Sequence, residues 1–174
     1  MTGAKQLLIS QTAGAFSGRP DMSLKASLEK ITQDEASWRP SDDVPTIDQL
    51  VRHIAWSKSS FCRRGFGTAM PLSDPDINDD GDTPGLPAEF PCGAGWAACL
   101  APGIHRAIEL LDQAQAVLTQ CLESCDEEAL DRPIPTHHGK SAANFFWIML
   151  MHDIYHAGQI RTRRTVFRAG GHPL

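Results

Sequence analysis

Two histidines four residues apart, His152 and His156, stand in the apolar stretch "NFFWIMLMHDIYHAGQIRTRR". On a helix, residues i and i+4 lie on the same face, one turn apart. The pair extends a stripe of Phe145, Ile148 and Met149 that is expected to face the protein interior. A buried imidazole needs partners for both ring nitrogens. A metal ion satisfies one nitrogen on each ring at once, so His152 and His156 read as two ligands of a metal site. The plainer alternative is two core histidines bonded to neighbouring side chains.

Two ligands rarely hold an ion, so a third is needed. Candidates are His53, His105, His137, His138, His172 and the carboxylates. His137 and His138 fall in a connector, His172 lies near the terminus, and His105 opens a helix. His53 sits inside a helix, on the flank of its apolar stripe between Leu50 and Ser57, and geometry favours it. Three neutral imidazoles leave coordination positions open, as in catalytic rather than structural sites. Asp153 and Gln159 flank the ligands and are candidates for supporting them from behind. Exposure or a helix-end contact is the plainer expectation for both, and packing is the plainer one for Tyr155.

Other metal chemistries fit poorly. His152-Asp153-Ile154-Tyr155-His156 resembles the H-E-x-x-H of zinc proteases, but Asp replaces the longer Glu base. Thr162 stands where a third histidine would follow, and no carboxylate comes after Asp153. A di-iron carboxylate bundle requires Glu-x-x-His pairs on two helices, which are missing. Asp76-Ile77-Asn78-Asp79-Asp80-Gly81 opens like a calcium loop, but the twelfth position is Pro87 rather than Glu. A solvated turn is expected there.

Helices must position these residues. One is expected from Ala4 to Phe16, with a continuation from Ser23 to Ile31 after the break at Gly18-Arg19-Pro20. A second opens at Thr46, whose spacing to Gln49 makes a capping box. It carries Ile47, Leu50, Val51, Ile54 and Phe61 at helical spacing and stops at Gly65 and Gly67. Residues 65–97 hold clustered Gly and Pro, with five Asp between 74 and 82, and read as a long loop that is either mobile or functional, in the second case lining or covering a site entrance. A third helix spans about Pro102 to Ser124, with Ile104, Ile108, Leu111, Val117, Leu118 and Leu122 as its apolar positions. "DEEALDRPIPTHHG" is a connector, and a fourth helix runs from an N-cap at Ser141 to about Phe167. No alternating strand pattern appears. The expectation is an all-α four-helix bundle in a single domain over residues 1–174, with a long crossover that lets helices 2 and 3 run parallel.

The net charge of −5 gives no electrostatic reason to expect nucleic acid. The arginines at 161, 163, 164 and 168 are local and suit the negative end of a helix dipole. The longest apolar run, residues 145–151, is too short to span a bilayer. The first eighteen residues show no export signal, and the five cysteines are odd in number without a CxxC. Unpaired thiols in a reducing cytoplasm are therefore expected.

Three stretches together resemble a known family: "ASLEKITQDEASWRPS", "TIDQLVRHIAWSKSSF" and "NFFWIMLMHDIYHAGQIRTRR". The chain is similar to the DinB-like four-helix metalloproteins, which include relatives of the bacillithiol and mycothiol S-transferases. The likeness spans most of the chain and is poor only over residues 65–97. It implies an up-down-down-up bundle with one divalent metal held by His53, His152 and His156. It also implies a homodimer, since members of the family are often dimers. Zinc, nickel and iron all suit three histidines. The expected function is metal-dependent transfer of a low-molecular-weight thiol to an electrophilic small molecule. Metal-assisted hydrolysis and a non-catalytic metal- or ligand-binding stress-response bundle are the alternatives.

Overall fold

The computed structural model describes residues 3–66, 103–134 and 140–170, apart from the side chains of residues 63–65. The expected loop at 65–97 beyond Phe66, the calcium-like turn, His137, His138, His172, Cys92 and Cys99 lie outside the described residues. Regular structure among the described residues is helical, with one isolated bridge between Pro133 and Ser141. The elements are α1 (Ala4–Ala13), α2 (Leu24–Ser27), α3 (Gln33–Ser37), α4 (Ile47–Phe66), α5 (Ile104–Ser124), α6 (Glu127–Asp131) and α7 (Ala142–Arg168). A π-helical turn, Gly14–Gly18, extends α1. No helix among the described residues is long and apolar enough to cross a membrane.

Two expected caps are present. Thr46 and Gln49 exchange bonds at the head of α4: the Thr46 N–H donates to Gln49 Oε1 at 3.0 Å and the Gln49 N–H to Thr46 Oγ1 at 3.4 Å. The Ser141 hydroxyl accepts from the Asn144 N–H at the head of α7. A capping box of Thr32 and Glu35 that starts α3 was not anticipated. At the head of α5, Gly103 has φ +85°, a conformation that favours glycine, and the Ile104 N–H donates to Gln33 Oε1 at 2.9 Å. Gln33 also donates to Asp48 in the first turn of α4, so a single side chain touches the starts of both helices.

The helix expected over Ser23–Ile31 is one turn, Leu24–Ser27. The physical reason is on α7. Arg164 donates to the carbonyls of Ser27 at 2.6 Å and Glu29 at 3.0 Å. Those acceptors are taken from a continuing helix, and Lys30 adopts a positive φ of 53°. The other arginines of the cluster also tie the end of α7 to the chain around it. Arg161 reaches the carbonyl of Ser23, Arg163 that of Pro45 at 2.7 Å, and Arg168 the Glu35 carboxylate. Specific bonds to carbonyls and a carboxylate, more than a diffuse dipole effect, account for these cations.

The core is aliphatic and lies between α4, α5 and α7. Ile47, Leu50, Val51 and Ile54 meet Leu110, Leu111 and Leu118, and Phe146, Met149 and Ile160 close it from α7. Ile148, expected in the buried stripe, is 37% exposed. A period of 3.6 sends positions 145/146, 149/150, 153, 156/157 and 160 inward, and 148 falls beyond that edge.

One ion pair crosses this core. Lys58 of α4 and Asp153 of α7 are both 0% exposed, and Lys58 Nζ lies 2.6 Å from Asp153 Oδ2. Lys58 also donates to Gln115 Oε1 of α5 at 2.5 Å and sits 4.9 Å from the Phe16 ring centre. Burial lowers the Lys58 pKa and raises that of Asp153, and each charge opposes the shift of the other. Removing one partner of such a pair leaves an uncompensated buried charge. Lys58→Ala should therefore cost about 3–5 kcal/mol in urea denaturation of chelator-treated protein. Replacing both partners by apolar residues of similar size, Lys58→Met with Asp153→Leu, should recover most of it. A loss below about 1 kcal/mol for Lys58→Ala would mean that the pair does not tie the helices.

Candidate metal centre

The middle of α4 and the middle of α7 bring His53, His152 and His156 together. His152 Nε2 lies 3.3 Å from His53 Nε2 and 3.0 Å from His156 Nε2. The ring centres are 4.3–5.4 Å apart, with the planes steeply inclined to one another. His156 is buried, and His53 and His152 are half-buried. These are the only three His, Cys, Asp or Glu side chains among the described residues grouped closely enough to hold an ion. His105 is exposed at the start of α5 and takes no part.

The protonation pattern follows from the hydrogen bonds. His156 Nδ1 lies 2.8 Å from Gln159 Oε1. A carbonyl oxygen only accepts, so Nδ1 carries the proton and Nε2 offers a lone pair. Gln159 in turn donates to the Tyr155 hydroxyl at 2.9 Å, which fixes which end of the amide faces His156. Asp153 points the other way, to Lys58, and the described residues give its Oδ1 no hydrogen-bond partner. Of the two flanking candidates, Gln159 touches a histidine of the cluster and Asp153 holds the helix that carries it.

Three imidazole nitrogens at such separations repel when their lone pairs converge. A cation between them removes the repulsion. A tetrahedral ion with bonds of 2.0–2.1 Å to nitrogen sets its ligand atoms about 3.3 Å apart. The two separations, 3.3 and 3.0 Å, lie close to that edge. His152 Nδ1 is buried and makes no hydrogen bond among the described residues, which leaves Nε2 as the placed donor atom. The residues present fit a divalent ion.

The electrostatics keep all three rings neutral at pH 7. Burial pulls the pKa of His53 down to about 3, aided by the charge of His156. Burial pulls His152 to about 2, with His156, His53 and Lys58 adding to it. Burial and the nearby Arg163 bring His156 to about 4, against the opposing bond to Gln159.

The profile of the DinB superfamily matches residues 15–160, and the chain belongs to that superfamily. No curated protein and no solved structure matches it.

The depressed values have a stability consequence. An unfolded histidine takes up a proton below about pH 6.5, whereas the folded ones refuse it until about pH 4 or lower. Between those limits the unfolded chain binds more protons, so stability rises with pH and is lost as pH falls below 6.5. Chelator-treated protein should lose up to about 2 kcal/mol per histidine between pH 7 and pH 5 in urea denaturation. His152→Ala should flatten the dependence. Equal stability at both pH values in the unsubstituted protein would contradict the burial of neutral imidazoles.

Proposed function

We propose that this chain is a single-domain enzyme that transfers a low-molecular-weight thiol to an electrophilic small molecule at one divalent ion. The ion, zinc, nickel or iron, would be held by His53, His152 and His156. The observation that carries the reading is the convergence of three neutral Nε2 atoms at the spacing a metal requires. When bound there, the ion supplies a Lewis-acidic centre that lowers the pKa of a coordinated thiol. Three protein ligands leave room for that thiol.

The chain's own residues do the positioning. Gln159 holds the tautomer of His156. Lys58 and Asp153 brace α4 against α7 close to His53 and His152. The same brace weighs against hydrolysis: the carboxylate nearest in sequence to the ligands is committed to a lysine, so it is poorly placed as a general base. We also place the protein in the cytoplasm, acting on small molecules without nucleic acid or membrane. Cys62, Cys121 and Cys125 carry thiols rather than disulfides, which suits a reducing compartment. A hydrogen bond with Cys121, together with burial, pushes the Cys62 thiol well up, which suits packing rather than catalysis.

We read the four long helices, α1, α4, α5 and α7, as an up-down-down-up bundle. Three contacts support this. Gln33 touches the starts of both α4 and α5, Lys5 of α1 reaches the carbonyls of Glu123 and Cys125 at the end of α5, and Arg163 of α7 reaches Pro45 ahead of α4.

The test is cobalt substitution of tag-free protein. Adding a small thiol should produce a sulfur-to-cobalt charge-transfer band that strengthens as pH rises toward the pKa of the free thiol. His53→Ala should abolish the band, and Cys62→Ala should leave it intact. A band present without added thiol and lost in a cysteine variant would identify a protein sulfur as ligand and end the open-site reading.

A further inference from the structure

A groove of about 600 Å³ opens between α1, α6 and the start of α7. That volume falls within the ~300–1,000 Å³ range of small-molecule sites. Much of its lining is apolar. Leu8 of α1 and Leu130 of α6 lie deeper, and Leu7 and Trp147 stand at the rim, 55% and 51% exposed. The groove also carries two carboxylates, Glu127 and Asp131 of α6. None of the three clustered histidines lines it.

Glu127 and Asp131 are four residues apart on α6, so they share one helix face. Like charges at that spacing destabilise a helix, and no cation among the described residues meets either one. The Asp131 carboxylate makes no hydrogen bond or ion pair among those residues. Glu127 accepts one long bond, from the Lys5 N–H at 3.4 Å. The Lys5 ammonium is committed elsewhere, to the carbonyls of Glu123 and Cys125. Arg132 faces Asp126 instead, at 4.0 Å. An organic cation answers both halves of this lining. Carboxylates attract it by charge, and an indole face attracts it by its quadrupole.

We infer that this groove binds an amphipathic organic cation: a small molecule with an ammonium head beside Glu127 and Asp131 and an apolar body along Leu7, Leu130 and Trp147. Charge selects the head. A fatty acid would bring a third negative charge against the two already present, and a neutral molecule would leave their repulsion in place. The apolar lining selects the body. A bare metal ion would leave Leu7 and Trp147 in water, whereas an alkyl or aryl group removes their surface from it. Long-chain amines, aryl-alkyl amines and quaternary ammonium compounds share this chemistry. Binding here does not depend on an ion at the histidine cluster.

The experiment is isothermal titration calorimetry of the full chain at low salt with octyltrimethylammonium, octanol and octanoate. The quaternary nitrogen has no lone pair, so it does not coordinate a metal. One octyltrimethylammonium should bind per chain, about tenfold tighter than octanol, with octanoate weakest. Added salt should narrow the gap. Asp131→Asn should weaken the cation about threefold, and Asp131→Lys should abolish its advantage over octanol. Position 131 is exposed, so circular dichroism should show both variants folded. In nitrogen-proton NMR spectra, the indole signal lost in Trp147→Phe should be the one that the cation shifts. Equal affinity for the three probes, or a cation affinity unchanged in both Asp131 variants, would overturn the proposal. So would an absence of binding at ~1 mM cation.

Discussion

Three imidazoles brought together, with His152 Nε2 at 3.3 and 3.0 Å from the Nε2 atoms of His53 and His156, are an arrangement a folded chain must enforce. Neutral rings with converging lone pairs repel, and burial removes the water that would screen them. The cluster is bracketed on both sides. Below it, Lys58 and Asp153 join α4 to α7 through a buried ion pair; above it, Arg163 joins α7 to the carbonyl of Pro45, just ahead of α4. Between these ties the helices have little freedom to separate, so His53 must face His152 and His156. Core packing gives the helices their contact, and the polar ties set the register in which the histidines meet.

Much of this was legible in the sequence. The spacing of His152 and His156 put both on one helix face, and the capping residues Thr46 and Ser141 marked where the two helices that carry the histidine cluster begin. The choice of His53 rested on its place inside a helix, which geometry favoured over His105 at a helix start. What escaped was the role of polar residues at apolar positions. Lys58 continues the series Ile47, Leu50, Val51, Ile54 and Ala55, and Asp153 continues Phe146, Met149 and Leu150. A lysine and an aspartate on two inward stripes are a signal for a buried pair, because neither is stable there alone. Reading Asp153 only against its histidine neighbours hid that signal.

The arginines at the end of α7 hold a similar lesson. Four cations near a helix C-terminus fit a dipole argument without any knowledge of the fold. Their actual partners are carbonyls and a carboxylate between Ser23 and Pro45, distant in sequence and brought near only by packing. The short α2 has the same origin, since its sequence supports a longer helix and Arg164 takes the carbonyls that would extend it. Membership of the DinB superfamily rests on the profile match, while the site rests on the geometry of the three rings.

The central claim is that His53, His152 and His156 share one divalent ion. X-ray absorption at the metal edge of tag-free protein tests it most directly. The account predicts one ion per chain with three imidazole nitrogens at about 2.0–2.1 Å and a lighter oxygen or nitrogen scatterer completing the shell. A shell containing protein sulfur, or fewer than three imidazoles in fully loaded protein, would contradict it.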